Sequence, residues 1–242
     1  MIYLKGIRLN ETMDINRIVY PFNIPALKNF NELVFDNPVT ILVGENGMGK
    51  STLIEAIAIA MRFNPEGGTM NYNFSTTSSH SDLYKYLITI RGDQRNRDGF
   101  FLRSESFYNS ISYLDTLGID VFKNYGGIRL HEVSHGEGFL RLLIHRCHGK
   151  SLFVFDEPEA ALSPLSQIKM LIRINQLVKE DSQFIISTHS PILMAYPGST
   201  IYQLSENGIH KTEYEQTEHY MLMKYFLNNT NNYLNQIGFE QQ

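Results

Sequence analysis

Gly44, Gly49, Lys50 and Ser51 stand in the order Gly-x-x-x-x-Gly-Lys-Ser within GENGMGKST, residues 44–52. Glycines let successive backbone N–H groups curl around phosphate oxygens, a lysine at this position neutralises them, and a hydroxyl at the start of a helix reaches a hard cation. The turn follows the apolar run Val39 to Val43 and precedes Leu53, Ile54, Ile57, Ala58 and Met61 at helical spacing, so it joins a strand to a helix. Gly44, Glu45, Asn46, Gly47, Met48, Gly49, Lys50, Ser51 and Thr52 are therefore the expected cradle for a nucleotide, with Lys50 on the β and γ phosphates and Ser51 on the accompanying Mg²⁺.

A second chemical group closes the apolar run SLFVFDE, residues 151–157, in two adjacent carboxylates. Open α/β sheets bind ligands at the carboxyl ends of such strands. Asp156 is expected to hold Mg²⁺ through water, and Glu157 to polarise the attacking water as general base. A similar run, QFIISTHS at 183–190, ends in His189. His145, Cys147 and His148 lie close together, but no fourth ligand completes a zinc set.

Between these blocks stands VSHGEG, residues 133–138, with Ser134 22 positions (156 minus 134) before Asp156. Val133, Ser134, His135, Gly136 and Glu137 resemble the LSGGQ signature of ATP-binding-cassette (ABC) ATPases, with His for the first Gly and Glu for Gln. Ser134 and the backbone at Gly136, opening a helix from Glu137 to His145, make an anion site at a helix N-terminus, so Ser134, Gly136 and Glu137 join the expected nucleotide contacts. Ala160 to Ser163 resemble the D-loop of that class, and His189 resembles its switch histidine. FFLRSES stands where a Q-loop belongs and carries Ser104, Glu105 and Ser106; Glu105 is the residue there that could serve the metal through water. In that class an aromatic that stacks on adenine precedes the glycine turn; Tyr20 or Phe22 is the candidate here, with core packing the more common use of either residue.

Only 29 positions (134 minus 105) separate Glu105 from Ser134, too few for a long coiled coil and cramped for a transporter-type helical subdomain. YPFNIPALKNF, EVSHGEGFLRLL and ISTHSPILMAYPG look like compact soluble bacterial AAA-family ATPases related to the RecF, SMC and OLD types. The resemblance implies an ATP-hydrolysing head-to-tail homodimer, with each ATP between the Lys50 turn of one copy and Ser134 of the other. It also implies DNA or a partner protein as client, in repair or defence, with transporter ATP-binding subunit and low-turnover regulatory module as the alternatives.

The bulk properties agree. A formal net charge of −4 over 242 residues excludes a global basic field, so DNA binding does not follow from charge. A single cysteine excludes an intramolecular disulfide, and neither a signal-peptide core nor a membrane-length apolar run is present, so a cytoplasmic protein without direct membrane insertion is expected.

The elements that must position these residues are strands at 2–9 and 33–43, the latter divided by Asn37 and Pro38. YKYLITIRG and DGFFLRSES are expected as two arms of a hairpin around DQRNR, and 66–82 as an exposed mobile loop. Ser163 and Pro164 open a helix between two buried strands, a βαβ unit. Residues 216–242 are expected as a helix with a polar tail. The predicted fold is thus α/β, a P-loop NTPase of the ABC-ATPase type: one domain over 1–242, a mostly parallel central sheet flanked by helices, and an antiparallel β layer from the N-terminal part.

Overall fold

Apolar runs without alternation require cover on both faces. The chain supplies it by interleaving strands and helices. The computed structural model describes residues 1–65, 67–68, 81–103 and 135–239. Its strands are β1 (Leu4–Leu9), β2 (Glu32–Val34), β3 (Val39–Gly44), β4 (Leu87–Arg91), β5 (Asp98–Arg103), β6 (Ser151–Asp156), β7 (Gln183–Ser187), β8 (Thr200–Ser205) and β9 (Gly208–Thr212). Its α-helices are α1 (Lys50–Ala60), α2 (His135–His145), α3 (Pro164–Lys179), α4 (Pro191–Met194), α5 (Glu218–Asn228) and α6 (Thr230–Gln236).

Strands β5-β6-β7-β3-β8-β9 form one sheet in that order, parallel except for the β8–β9 pair. Strands β2-β1-β4 form a separate antiparallel sheet. This is the mostly parallel α/β sheet with an antiparallel N-terminal layer that the sequence led us to expect. Side chains of β3 and β6 alternate between two cores. Leu42, Leu152 and Val154 pack with Leu53, Ile54 and Ile57 of α1. Val39, Ile41, Val43, Phe153 and Phe155 pack with Phe139 and Leu142 of α2 and Met170 and Ile174 of α3. Helix α1 touches β6 and β7 on one side and β4 on the other, so it lies between the sheets and is apolar almost all round. Gln183 fastens the two sheets: its side chain accepts from the Tyr3 and Leu4 amides at 2.8 and 2.9 Å and donates to the Leu4 carbonyl at 2.8 Å.

The expected hairpin does not form. Strand β4 pairs with β1, whereas β5 pairs with β6 in the other sheet. The two arms have different burial needs: Gly99 to Leu102 are all buried, while β4 is half-buried and then exposed. A hairpin would have placed both in one environment, and β5 needs the interior of the larger sheet. The C-terminal segment also differs, forming two helices divided at Asn229 rather than one. Of the loop expected at 66–82, residues 66 and 69–80 lie outside the described residues. Among the described residues no helix is long and apolar enough to cross a membrane.

Candidate nucleotide site

Three strand ends converge. Gly44 ends β3, Asp156 ends β6 and Ser187 ends β7, and these neighbours run parallel, so their carboxyl ends open on one edge of the sheet. The turn after β3 leads into α1 through Gly49, whose φ of 94° a residue with a Cβ would adopt only under strain. A Cβ there would also fall 2.8 Å from the Ile24 methyl. A cavity of about 340 Å³ lies over this turn, lined by Asn46, Gly47, Gly49, Lys50, Ser51 and Thr52, with Tyr20, Ile24 and Glu157 on its other walls. Met48 packs instead against the core.

Lys50 is buried and donates from Nζ to the carbonyls of Gly44 at 2.7 Å and Glu45 at 3.1 Å. Burial pulls its pKa down, opposed by the nearby carboxylates of Glu157, Asp156, Glu45 and Glu159. Ser51 Oγ donates to Asp156 Oδ1 at 3.3 Å, and Ser187 Oγ donates to the same oxygen. These oxygens suit a hard dication such as Mg²⁺. Burial pushes the Asp156 pKa up to about 6 despite the Ser187 and Ser51 hydroxyls and the Arg103 charge, a penalty that a bound cation would relieve. Residues Ser51 and Asp156 therefore fit the metal expected of them.

This burial has a measurable consequence. Between pH 3.8, the usual carboxylate value, and about 6, the folded chain holds more proton at Asp156 than the unfolded chain does. Stability from this group is thus present below the lower value and lost as pH rises through the upper one. A difference of this size corresponds to about 3 kcal/mol. Relative to the wild type, Asp156→Asn is expected to gain stability on that order between pH 4 and pH 8 in urea unfolding without Mg²⁺. Parallel pH profiles for the two proteins would contradict this.

Glu157 follows with backbone φ of 48° and ψ of 53°, a left-handed conformation uncommon for a residue with a side chain. Its amide donates to the Ser187 carbonyl at 3.0 Å, tying it to β7. His189 Nε2 comes within 3.4 Å of Glu157 Oε1. Burial, reinforced by the Lys50 ammonium, holds His189 below the ordinary imidazole range.

Three groups near the expected set were missed in the sequence. Glu159 accepts from the His189 amide at 2.6 Å, and burial raises its pKa. Its signal was present, a further acid two positions beyond Glu157. Ser187 had a weaker one, preceding Thr188 and His189 at a strand end. His219, on α5, meets His189 with Nε2 2.9 Å from Nδ1. Nothing at 30 positions' separation marks it in the chain.

The remaining expectations divide. Tyr20 is 58% exposed beside the cavity, whereas Phe22 is 3% exposed and packs edge-on against Tyr86, so only Tyr20 is free to stack on a base. Gly136 lies against the turn after Glu157, where a Cβ would come 2.7 Å from the Ala161 carbonyl oxygen. Glu137 pairs with Arg141 at 2.9 Å along α2. Ser134 and Glu105 lie outside the described residues. Cys147 is a core residue, its thiol pushed up to about 12 by burial. Gly136→Ala should force α2 away from the 158–161 turn and destabilise the chain by about 1–3 kcal/mol. An unchanged thermal midpoint would show that this contact yields freely.

A parallel sheet that delivers a glycine-rich turn, a buried lysine and the Glu157 carboxylate to one cavity, with Asp156 bonded to Ser51 at its edge, defines a P-loop nucleotide-binding protein. A family model described as "AAA domain, putative AbiEii toxin, Type IV TA system" matches residues 80–195, and a second, described as "AAA domain", matches residues 22–116. The nisin transport ATP-binding protein NisT of Lactococcus lactis subsp. lactis is 30% identical over 200 residues, covering 71% of this chain. The chain spans 32% of that relative's length. The phosphate import ATP-binding protein PstB of Bacillus cereus (strain ZK / E33L) is 28% identical over 190 residues, covering 68% of this chain and 69% of the relative. Among solved structures, the SMC head domain from Thermotoga maritima is similar at 15% identity and a TM-score of 0.46, over 88% of this chain and 100% of that one. The two AAA-domain matches and the similarity to ATP-binding proteins of transporters support an ABC-class P-loop ATPase.

Proposed function

We propose that this protein hydrolyses ATP with Mg²⁺ as a head-to-tail homodimer, and that closure and release of the dimer act on DNA or a partner protein. The observation that carries the hydrolytic part is the convergence of Lys50, Ser51, Asp156, Glu157 and His189 at the cavity and strand ends described above. Lys50 neutralises the β and γ phosphates. Ser51 and Asp156 would hold the Mg²⁺, with Glu105 reaching it through water. That ion supplies positive charge to phosphate oxygens. Glu157 accepts a proton from the attacking water, and His189 donates from Nε2 toward the γ-phosphate.

Among the described residues that line the cavity, Lys50 is the one cation. Phosphoryl transfer usually has a second donor for the charge that develops at the γ-phosphate. The signature segment of a second copy, Ser134 with the helix N-terminus at Gly136 and Glu137, would provide it, and twofold symmetry would close both sites together.

A role in defence is supported by the description of the family matched at residues 80–195, which names a toxin–antitoxin system. The second reading, an ATP-binding subunit of a transporter, is favoured by the names of NisT and PstB. Phosphate release with and without duplex DNA, followed alongside the proteins that co-purify, separates the two. Stimulation by DNA supports the first, and a co-purifying membrane protein supports the second. Absence of any phosphate release overturns the hydrolytic reading.

A further inference from the structure

The contact between His189 and His219 leaves two buried ring nitrogens, His189 Nε2 and His219 Nδ1, without a hydrogen-bond partner among the described residues. Two neutral imidazoles share one proton across a bridge of 2.9 Å, and the choice of donor settles the tautomer of both rings. If His189 donated from Nδ1, its bare Nε2 would face Glu157 Oε1 at 3.4 Å, setting one acceptor against another. If His219 donates from Nε2–H, His189 carries its proton on Nε2, and that N–H faces the carboxylate. The second arrangement removes the acceptor clash and is the one the geometry favours.

We propose that His219 is a positioning residue: its Nε2–H, received by His189 Nδ1, holds the His189 ring in the Nε2–H tautomer that faces Glu157 and the γ-phosphate position. The proposal deepens the hydrolytic role assigned to His189 and rests on it. The placement of His219 is built, not incidental. Thr217, fully buried, caps α5 by accepting from the Tyr220 amide, and the Tyr214 hydroxyl donates to the Pro191 carbonyl at 3.0 Å beside the start of α4. Helix α5 itself has no buried residue, and these anchors, the Tyr214–Tyr220 ring contact and the histidine contact hold its first turn against the site. Among the described residues, the His189–His219 hydrogen bond links the C-terminal helix α5 to the nucleotide site.

The test uses the full chain, labelled with ¹⁵N at histidine and free of nucleotide. Long-range proton–nitrogen spectra are expected to report His189 with Nε2 protonated and Nδ1 bare. In His219→Leu the fixed tautomer should be lost, and kcat for ATP should fall by about 10- to 100-fold, the usual effect of removing a residue that orients a functional imidazole. KM should stay within about threefold, because ground-state binding is untouched. His219→Gln, whose amide can donate to Nδ1, should recover most of the rate, which a purely structural role for the ring would not predict. A wild-type His189 protonated on Nδ1, or a leucine variant with the same spectrum and rate as the wild type, overturns the proposal. If the spectra are as expected but no variant or wild type releases phosphate, the hydrolytic reading fails while the tautomer assignment stands.

Discussion

Glu157→Gln is expected to lower ATP turnover by about 10²- to 10⁴-fold, the range associated with loss of a positioned general base. Binding should persist, because the amide keeps the shape of the carboxylate. The left-handed backbone at this residue and its amide bond to the Ser187 carbonyl aim the side chain from a fixed base, so glutamine should occupy the same place without accepting the proton. Single-turnover phosphate release together with equilibrium nucleotide binding checks both halves. Hydrolysis at the wild-type rate would move the base to another residue, and Glu159 would then be the carboxylate to examine, being buried and joined to the His189 amide.

Lys50→Ala should weaken ATP binding by about 10²- to 10⁴-fold. The loss is that of charge-assisted hydrogen bonds to two phosphates, at about 1.5–3 kcal/mol each. The ammonium donates to the carbonyls of Gly44 and Glu45. These contacts hold the lysine at the turn, where phosphate oxygens would be its partners. Titration of a fluorescent ATP analogue measures the effect, with circular dichroism confirming that the variant is folded. Affinity within about threefold of wild type would remove Lys50 from the phosphate cradle.

Much of this site was legible because its chemistry is local. A glycine turn between strand and helix, and two acids at the end of a buried run, announce themselves within a dozen residues, and the same runs reveal the parallel sheet. What escaped was set by tertiary contact. Strands β4 and β5 are adjacent in the chain and individually recognisable, yet their partners, β1 and β6, were decided by how much of each must be buried. Tyr20 and Phe22 are alike in sequence and separated only by exposure. Glu159 could have been found from its spacing. His219 could not, since a histidine in an aromatic-rich helix carries no sign of a second histidine folded against it.

Sharing of ATP between two copies is tested most directly by the mass of Glu157→Gln in saturating ATP and Mg²⁺, measured by light scattering across a range of protein concentrations. We expect a dimer that forms with ATP, disperses when the nucleotide is removed, and is abolished by adding Lys50→Ala or by disrupting Ser134. A protein that stays monomeric with ATP bound would contradict the shared site.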